Sequence, residues 1–253
     1  MNLIGQLKLM WRQRRLARLQ AEQGERFDLH GVSVLLPAAM ASESVRIQAM
    51  RGRYERKEAR AIRRFLKPGT PVIELGGSLG VISAVIRSAI GPQAPHVVLE
   101  ANPKLIHICA ANAINPVAPE RTRVLNAALA YGCDTVLFRC TADTLGGAIT
   151  TTDEADAVAV RTTTLAALAA ELPVPPGHSF ALVCDIEGAE LDMMQHEETV
   201  WRRVSLVVIE IHPQSFAEQG SSEASFMALL KARGLRVLQQ QKRVLVLAGP
   251  AAS

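Results

Sequence analysis

The sequence predicts an α/β fold: a mostly parallel seven-stranded sheet with helices on both faces, closed by an antiparallel hairpin. Three observations carry that expectation. From residue 71 onward, apolar runs of strand length alternate with helical patterns. Those runs are apolar throughout, not on alternate residues, so both faces of the sheet are covered. A glycine-rich turn, in PVIELGGSLGVISA at 71–84, follows the first of them. A chain of 253 residues, 49% of them hydrophobic, can build one such domain and a small appendage. Its 17 Gly and 13 Pro are no excess and argue against wholesale disorder.

The appendage is residues 1–50, a basic N-terminal helix and a short hairpin; residues 51–253 form the main domain. MNLIGQLKLMWRQRRLARLQ has no acid before Glu22. Leu3, Leu7, Met10 and Trp11 are expected on one helical face, with Leu9, Leu16 and Leu19 elsewhere. The favoured reading packs this helix on its own domain or on a second subunit of a homodimer. The sharper reading lays residues 1–20 on anionic lipid, with Trp11 at the boundary. Charges interrupt the apolar stretch and no small-residue cleavage site follows, so a signal peptide is a poor fit. No apolar run approaches the roughly 18 residues that span a bilayer. RFDLHGVSVLLP alternates around a glycine and reads as a hairpin. YERKEARAIRRFLKPGTP reads as a helix with Ile62, Phe65 and Leu66 on its apolar face, stopped by Lys67-Pro68-Gly69. Residues 1–67 carry 15 Lys/Arg against 6 Asp/Glu, and residues 68–253 carry 13 against 18. The basic character therefore belongs to the N-terminal part.

In the main domain the strands are read at PVIEL, HVVLE, TRVLNAAL, FALVCDI, VSLVVIEIH, LRVLQQ and RVLVLAG, the last two forming the hairpin. Helices are read in GVISAVIRSAI, PKLIHICAANAI, EGAELDMMQHE and SEASFMALLKARG. Ligands of such sheets bind beyond the carboxyl ends of the strands. That places Glu74, Glu100, Asn126, Asp185 and Glu210 along one rim. The cysteines Cys109, Cys133, Cys140 and Cys184 form no Cys-x-x-Cys pair, which disfavours zinc and suits a reducing cytoplasm.

The glycine turn admits two ligands. A dinucleotide fingerprint is Gly-x-Gly-x-x-Gly, and Ser78 stands where its second glycine belongs. The pattern present is acid-x-Gly-x-x-x-Gly, from Glu74, Gly76 and Gly80. It suits S-adenosylmethionine, which has no pyrophosphate to seat on a helix N-terminus. Glu74 would meet the ammonium side, and Glu100 would accept hydrogen bonds from both ribose hydroxyls.

The motifs YERKEARAIRRFLKPGTPVIELGGSLG, LEANP, VRTTTLAAL, LVCDIEGAE and VVIEIHP, in that order, resemble the FkbM family of S-adenosylmethionine-dependent methyltransferases. The most specific piece is DIEGAE, and Glu74 stands where the family often has Asp. The resemblance implies a Rossmann-like class I methyltransferase fold. It implies that Gly76, Gly77 and Gly80 line the methionine portion of the cofactor and that Glu100 binds the ribose with Asn102 beside it. Asn126 and Ala127 would border the adenine. Tyr54 and Glu55 would close over the cofactor, or else merely open a helix. Asp185 would touch the cofactor and act in catalysis.

Methyl transfer to a hydroxyl needs alignment and a proton acceptor. His212, in EIHP after the fifth strand, is the expected base, with Asp185 and Glu190 as alternatives. Glu187, Glu190 and Glu210 are the candidate substrate contacts. Asp185, Glu210 and His212 would make a magnesium or manganese site, a reading not favoured over a metal-free base. His30, His96, His107, His178 and His196 are expected to be structural. TADTLGGAITTTDEAD, 141–156, suits a mobile loop or hairpin over the site that sets acceptor selectivity.

The expected function is O-methylation of a hydroxyl on a sugar, glycolipid or natural product. The alternatives are a nicotinamide-dependent oxidoreductase, opposed by Ser78 and the lack of a Tyr-x-x-x-Lys pair, and a non-catalytic binding protein of the same fold. A nucleic-acid substrate is disfavoured, because residues 68–253 are net negative and aromatics are only 4% of the chain. The expected location is the cytoplasm, at the inner membrane surface if the basic helix binds lipid.

Overall fold

In the computed structural model, which describes residues 3–114, 116–140, 147–150 and 157–252, the chain opens with a single helix, α1 (Leu3–Gln23). The hairpin follows as β1 (Arg26–Leu29) and β2 (Val32–Leu35), then α2 (Glu43–Met50), whose first turn is capped by the Ser42 hydroxyl. The residues expected to share one face of α1 are not the ones that pack on the domain. Leu16 is buried, while Leu7, Met10 and Trp11 are exposed. Leu16 is held with Phe27, Leu29 and Val34 against Leu79, Val81, Leu105 and Ile108 of the main sheet's helical layer. That contact sits near the helix's C-terminal half, so the first turns project with no apolar partner among the described residues.

The main domain runs α3 (Arg56–Phe65), β3 (Val72–Leu75), α4 (Val81–Ile90), β4 (His96–Glu100), α5 (Ile106–Ala113) and β5 (Thr122–Asn126). Next come β6 (Ala128–Leu129), β7 (Thr135–Cys140), β8 (Gly147–Thr150), β9 (Ala157–Thr163) and α6 (Leu165–Glu171). The chain ends with β10 (Phe180–Cys184), α7 (Glu190–His196), β11 (Val204–Glu210), α8 (Pro213–Glu218), α9 (Glu223–Ala232), β12 (Arg236–Gln241) and β13 (Val244–Ala248).

The seven-stranded sheet has the order β12-β13-β11-β10-β3-β4-β5, with β13 antiparallel to both neighbours and the rest parallel. This is the expected Rossmann-like arrangement. Period-two alternation divides its apolar residues between two layers. Ile73 and Leu75 face Leu168 of α6, Met194 of α7 and Leu230 of α9. Val72 and Val183 face Ile62 of α3 and Val85 of α4. From β3 the chain steps outward through β4 and β5; from β10 it steps the other way through β11. The crevice between β3 and β10 is therefore the switch point where such sheets bind ligands.

One part of the fold was not anticipated. TRVLNAAL, expected as one strand, is two, broken at Ala127. The second piece, β6, leaves the main sheet and starts a four-stranded one of order β6-β9-β7-β8. Of the stretch 141–156, residues 147–150 form β8, antiparallel to β7; 141–146 and 151–156 lie outside the described residues.

Candidate active site

At the tip of β3 the backbone N–H groups of Gly76 and Gly77 both donate to the Leu99 carbonyl, at 2.9 and 3.0 Å, and fasten the turn to β4. Gly76 has φ +86°, and a Cβ there would lie 1.9 Å from the Asp185 carbonyl oxygen. Only glycine combines that backbone with that approach. The turn continues through Ser78, itself left-handed at φ 47°. Its N–H donates to Glu100 Oε2 at 2.6 Å, while the Asn102 N–H donates to Glu100 Oε1 at 2.7 Å. Burial raises the Glu100 carboxyl and these two donors pull it back. A carboxylate offers about four lone-pair sites, so each oxygen keeps one for a ligand diol.

Glu74, 1% exposed, is held from behind. Its Oε2 lies 2.9 Å from His96 Nε2, its Oε1 is buried with no hydrogen-bond partner, and the residue lines the cavity. His96 was expected to be merely structural. It begins β4 two residues before Val98, which pairs with Glu74, so it shares Glu74's face of the sheet. That register is invisible until the two strands are paired.

A cavity of ≈ 300 Å³ lies over these tips. Ala127, Leu129, Phe138 and Ile149 wall one side, the last three from the four-stranded sheet. Tyr54 and Glu55 line it just ahead of α3, with Glu55 in the left-handed region at φ 49°. The far end is lined by Glu58, Asp185, Glu187 and Glu210.

Behind that far end sits His212. Its Nδ1 lies 2.9 Å from Glu190 Oε1, which also accepts from the Ile186 N–H at 3.2 Å. Its Nε2 lies 3.4 Å from Glu187 and 3.6 Å from Asp185. Burial opposes charge on the imidazole, yet the bond to Glu190 and the fields of Glu190, Asp185 and Glu187 raise it to about 9. Burial raises Asp185 to about 8, reinforced by Glu210 and offset by His212. The Asp185 side chain is 44% exposed and lines the cavity. Burial and the hydrogen-bonded Glu210 raise Glu58 to about 7. Glu55 and Glu187 are raised too, both chiefly by burial.

Of the residues expected at the site, Tyr54, Glu74, Gly76, Gly77, Glu100, Asn102, Ala127, Asp185, Glu187 and Glu210 line the cavity. Four do not. Gly80 is a glycine because α5 passes close by; a Cβ would lie 2.7 Å from the Cys109 carbonyl oxygen. Asn126 donates its amide to the carbonyls of Glu100 and Ala101, tying β5 to the β4 tip. Glu190 and His212 stand one layer back. The expected metal set is also altered. Among the described residues the grouping is Asp185, Glu190 and His212, because Glu210 turns to Glu58. No helix among the described residues is long and apolar enough to cross a membrane.

The description "Methyltransferase FkbM domain" matches residues 82–237. No curated protein matches the chain. Among solved structures, a TehB-like SAM-dependent methyltransferase from Corynebacterium glutamicum is 12% identical, over 76% of this chain and 86% of that one, with a TM-score of 0.38. A SAM-dependent methyltransferase from Aquifex aeolicus is 12% identical, over 77% and 92%, with a TM-score of 0.41. A precorrin-6y C5,15-methyltransferase from Geobacter metallireducens is 10% identical, over 79% and 88%, with a TM-score of 0.41.

Proposed function

The chain belongs to the FkbM methyltransferase family, and from that premise we propose that it transfers a methyl group from S-adenosylmethionine to a hydroxyl of a sugar, glycolipid or natural product. The observation that carries the reading is the Asp185 carboxyl at the β10 tip, opening into the cavity with His212 behind it. The cradle fits the cofactor. Glu74 lines the cavity and has a buried oxygen without a hydrogen-bond partner, which suits an ammonium, and Glu100 keeps lone pairs for a diol. When bound, the cofactor supplies an electrophilic methyl group.

The chain's own residues do the rest. Asp185 takes the hydroxyl proton; a carboxyl raised to about 8 is close to the acidity that suits a base near neutral pH. His212 does not serve as that base. It is an imidazolium at neutral pH and lies outside the cavity, so it orients Asp185 and Glu187. Phe138, Ile149 and Leu129 exclude water from the transfer.

Labelled S-adenosylmethionine incubated with glycan and lipid extracts of the host is expected to mark a hydroxyl compound. Asp185→Asn should cut turnover about 100-fold or more with S-adenosylhomocysteine affinity kept. Tight binding of NADH with none of S-adenosylhomocysteine would overturn the assignment.

A lipid-borne acceptor is favoured by the exposed start of α1. Leu7, Met10 and Trp11 project beside Lys8, Arg12 and Arg51, a surface suited to anionic lipid. Trp11→Glu should abolish co-sedimentation with anionic vesicles; unchanged sedimentation would refute the idea.

A further inference from the structure

We infer that the acceptor carries a cationic amine beside the hydroxyl that is methylated, and that phosphorylated or carboxylated compounds are rejected. The inference rests on the methyl-transfer reading above and concerns the acceptor end of the same cavity.

Seven carboxyl groups line the cavity: Glu55, Glu58, Glu74, Glu100, Asp185, Glu187 and Glu210. No Lys, Arg or His is among the described lining residues. Glu74 and Glu100 serve the cofactor end. The other five reach the far end from three separate elements: the start of α3, the tip of β10 and the tip of β11. The cations that act on them stand outside the lining: His212, behind the wall and already bonded to Glu190, Lys57 next to Glu58, and Arg243 toward Glu187.

These groups are not content with one another. Glu55 Oε2 is buried without a hydrogen-bond partner, and Asp185 Oδ1, also without one, has only His212 Nε2 at 3.6 Å. Glu58 and Glu210 answer their proximity by sharing a hydrogen bond. A neutral polyol donates one hydrogen per hydroxyl and brings no charge. An ammonium donates three and brings the charge that five clustered acids lack. An anionic group would meet five acids with no Lys, Arg or His among the described lining residues to receive it. An ammonium held by carboxylates has no lone pair, so it is a recognition handle and not the methyl acceptor. The hydroxyl beside it remains the nucleophile, with Asp185 as its base.

The test uses three matched pyranoses: glucosamine, glucose and glucuronate. Each is titrated at pH 7 and low salt into the full chain preloaded with S-adenosylhomocysteine. Glucosamine is expected to bind about tenfold or more tighter than glucose, as charged hydrogen bonds do, and glucuronate weaker than both. In the double variant Glu58→Gln/Glu210→Gln the advantage of glucosamine should shrink, while the S-adenosylhomocysteine isotherm stays the same. Glucuronate binding as well as glucosamine, or glucosamine no better than glucose (including no binding by either), overturns the inference. The preloading isotherm judges the methyl-donor reading separately: its absence sinks that reading, and its presence without an amine preference sinks only this one.

Discussion

Both ends of the cavity are built on carboxyl groups, and Glu100 at one end and the acids at the other are in opposite states. At the cofactor end Glu100 is satisfied before any ligand arrives: two backbone N–H groups fix its oxygens and lock the Gly76–Ser78 turn. At the acceptor end Glu58 faces Glu210, and Asp185 and Glu187 share the one His212 imidazole, 3.6 and 3.4 Å away. The contrast teaches where rigidity and where tension reside. The cofactor end owes its shape to hydrogen bonds already made. The acceptor end holds a charge pattern that a ligand completes.

Gly76 joins the two ends, because its Cα packs against the Asp185 carbonyl. Gly76→Ala should therefore break both at once, and it is the largest effect expected. A Cβ cannot fit at 1.9 Å from that oxygen, and φ +86° is strained for any other residue. A loss of about 3 kcal/mol in denaturant melts is expected, with cofactor binding abolished. An unchanged melt would mean the two strand tips can separate freely.

Next in size is a pair of substitutions with opposite signs. Glu100→Ala removes the acceptor for two N–H groups and should destabilise the fold by about 2 kcal/mol while weakening S-adenosylhomocysteine about tenfold or more. Glu58→Gln removes a carboxyl that its neighbours repel. It should leave the ligand-free protein as stable or about 1 kcal/mol more stable at pH 8, while lowering turnover. Chemical melts of both variants decide the matter; two losses of equal size would erase the distinction between the ends.

Much of the cofactor end was legible in the sequence, because local rules write it. Apolar runs gave the strands, the glycine spacing gave the turn, and Glu100 ends its strand visibly. The acceptor end depends on side chains that meet only after folding. The Glu58–Glu210 contact joins residues from α3 and β11, and Glu74–His96 depends on the register of two strands. His212 was legible as a residue at a strand end but not as one set behind the cavity wall, with Nδ1 on Glu190 and Nε2 toward Asp185 and Glu187. The four-stranded sheet was missed because TRVLNAAL gives no local sign of its break at Ala127. In α1 the period identifies a helix but not the face that meets the domain; Leu16, off the Leu7–Trp11 stripe, is the anchor.

The smallest effect is the pH dependence of the ligand-free protein, and it isolates the tension at the acceptor end. Glu58 and Asp185 have native values raised to about 7 and about 8, above the ordinary carboxylate range. The stability they contribute is complete below about pH 4 and is lost as pH rises through those values. His212, raised to about 9, contributes stability that is complete below its ordinary value and is lost as pH rises through 9. All three act in one direction, so the thermal midpoint should fall steadily from pH 5 to pH 9. Glu58→Gln should flatten the fall between 5 and 7, and His212→Gln between 7 and 9. An ammonium-bearing ligand should flatten it as well, by supplying the missing positive charge. A midpoint that rises between pH 6 and 8 would mean that the acceptor-end carboxyls are ionised and paired in the free protein, and the contrast between the two ends would not stand.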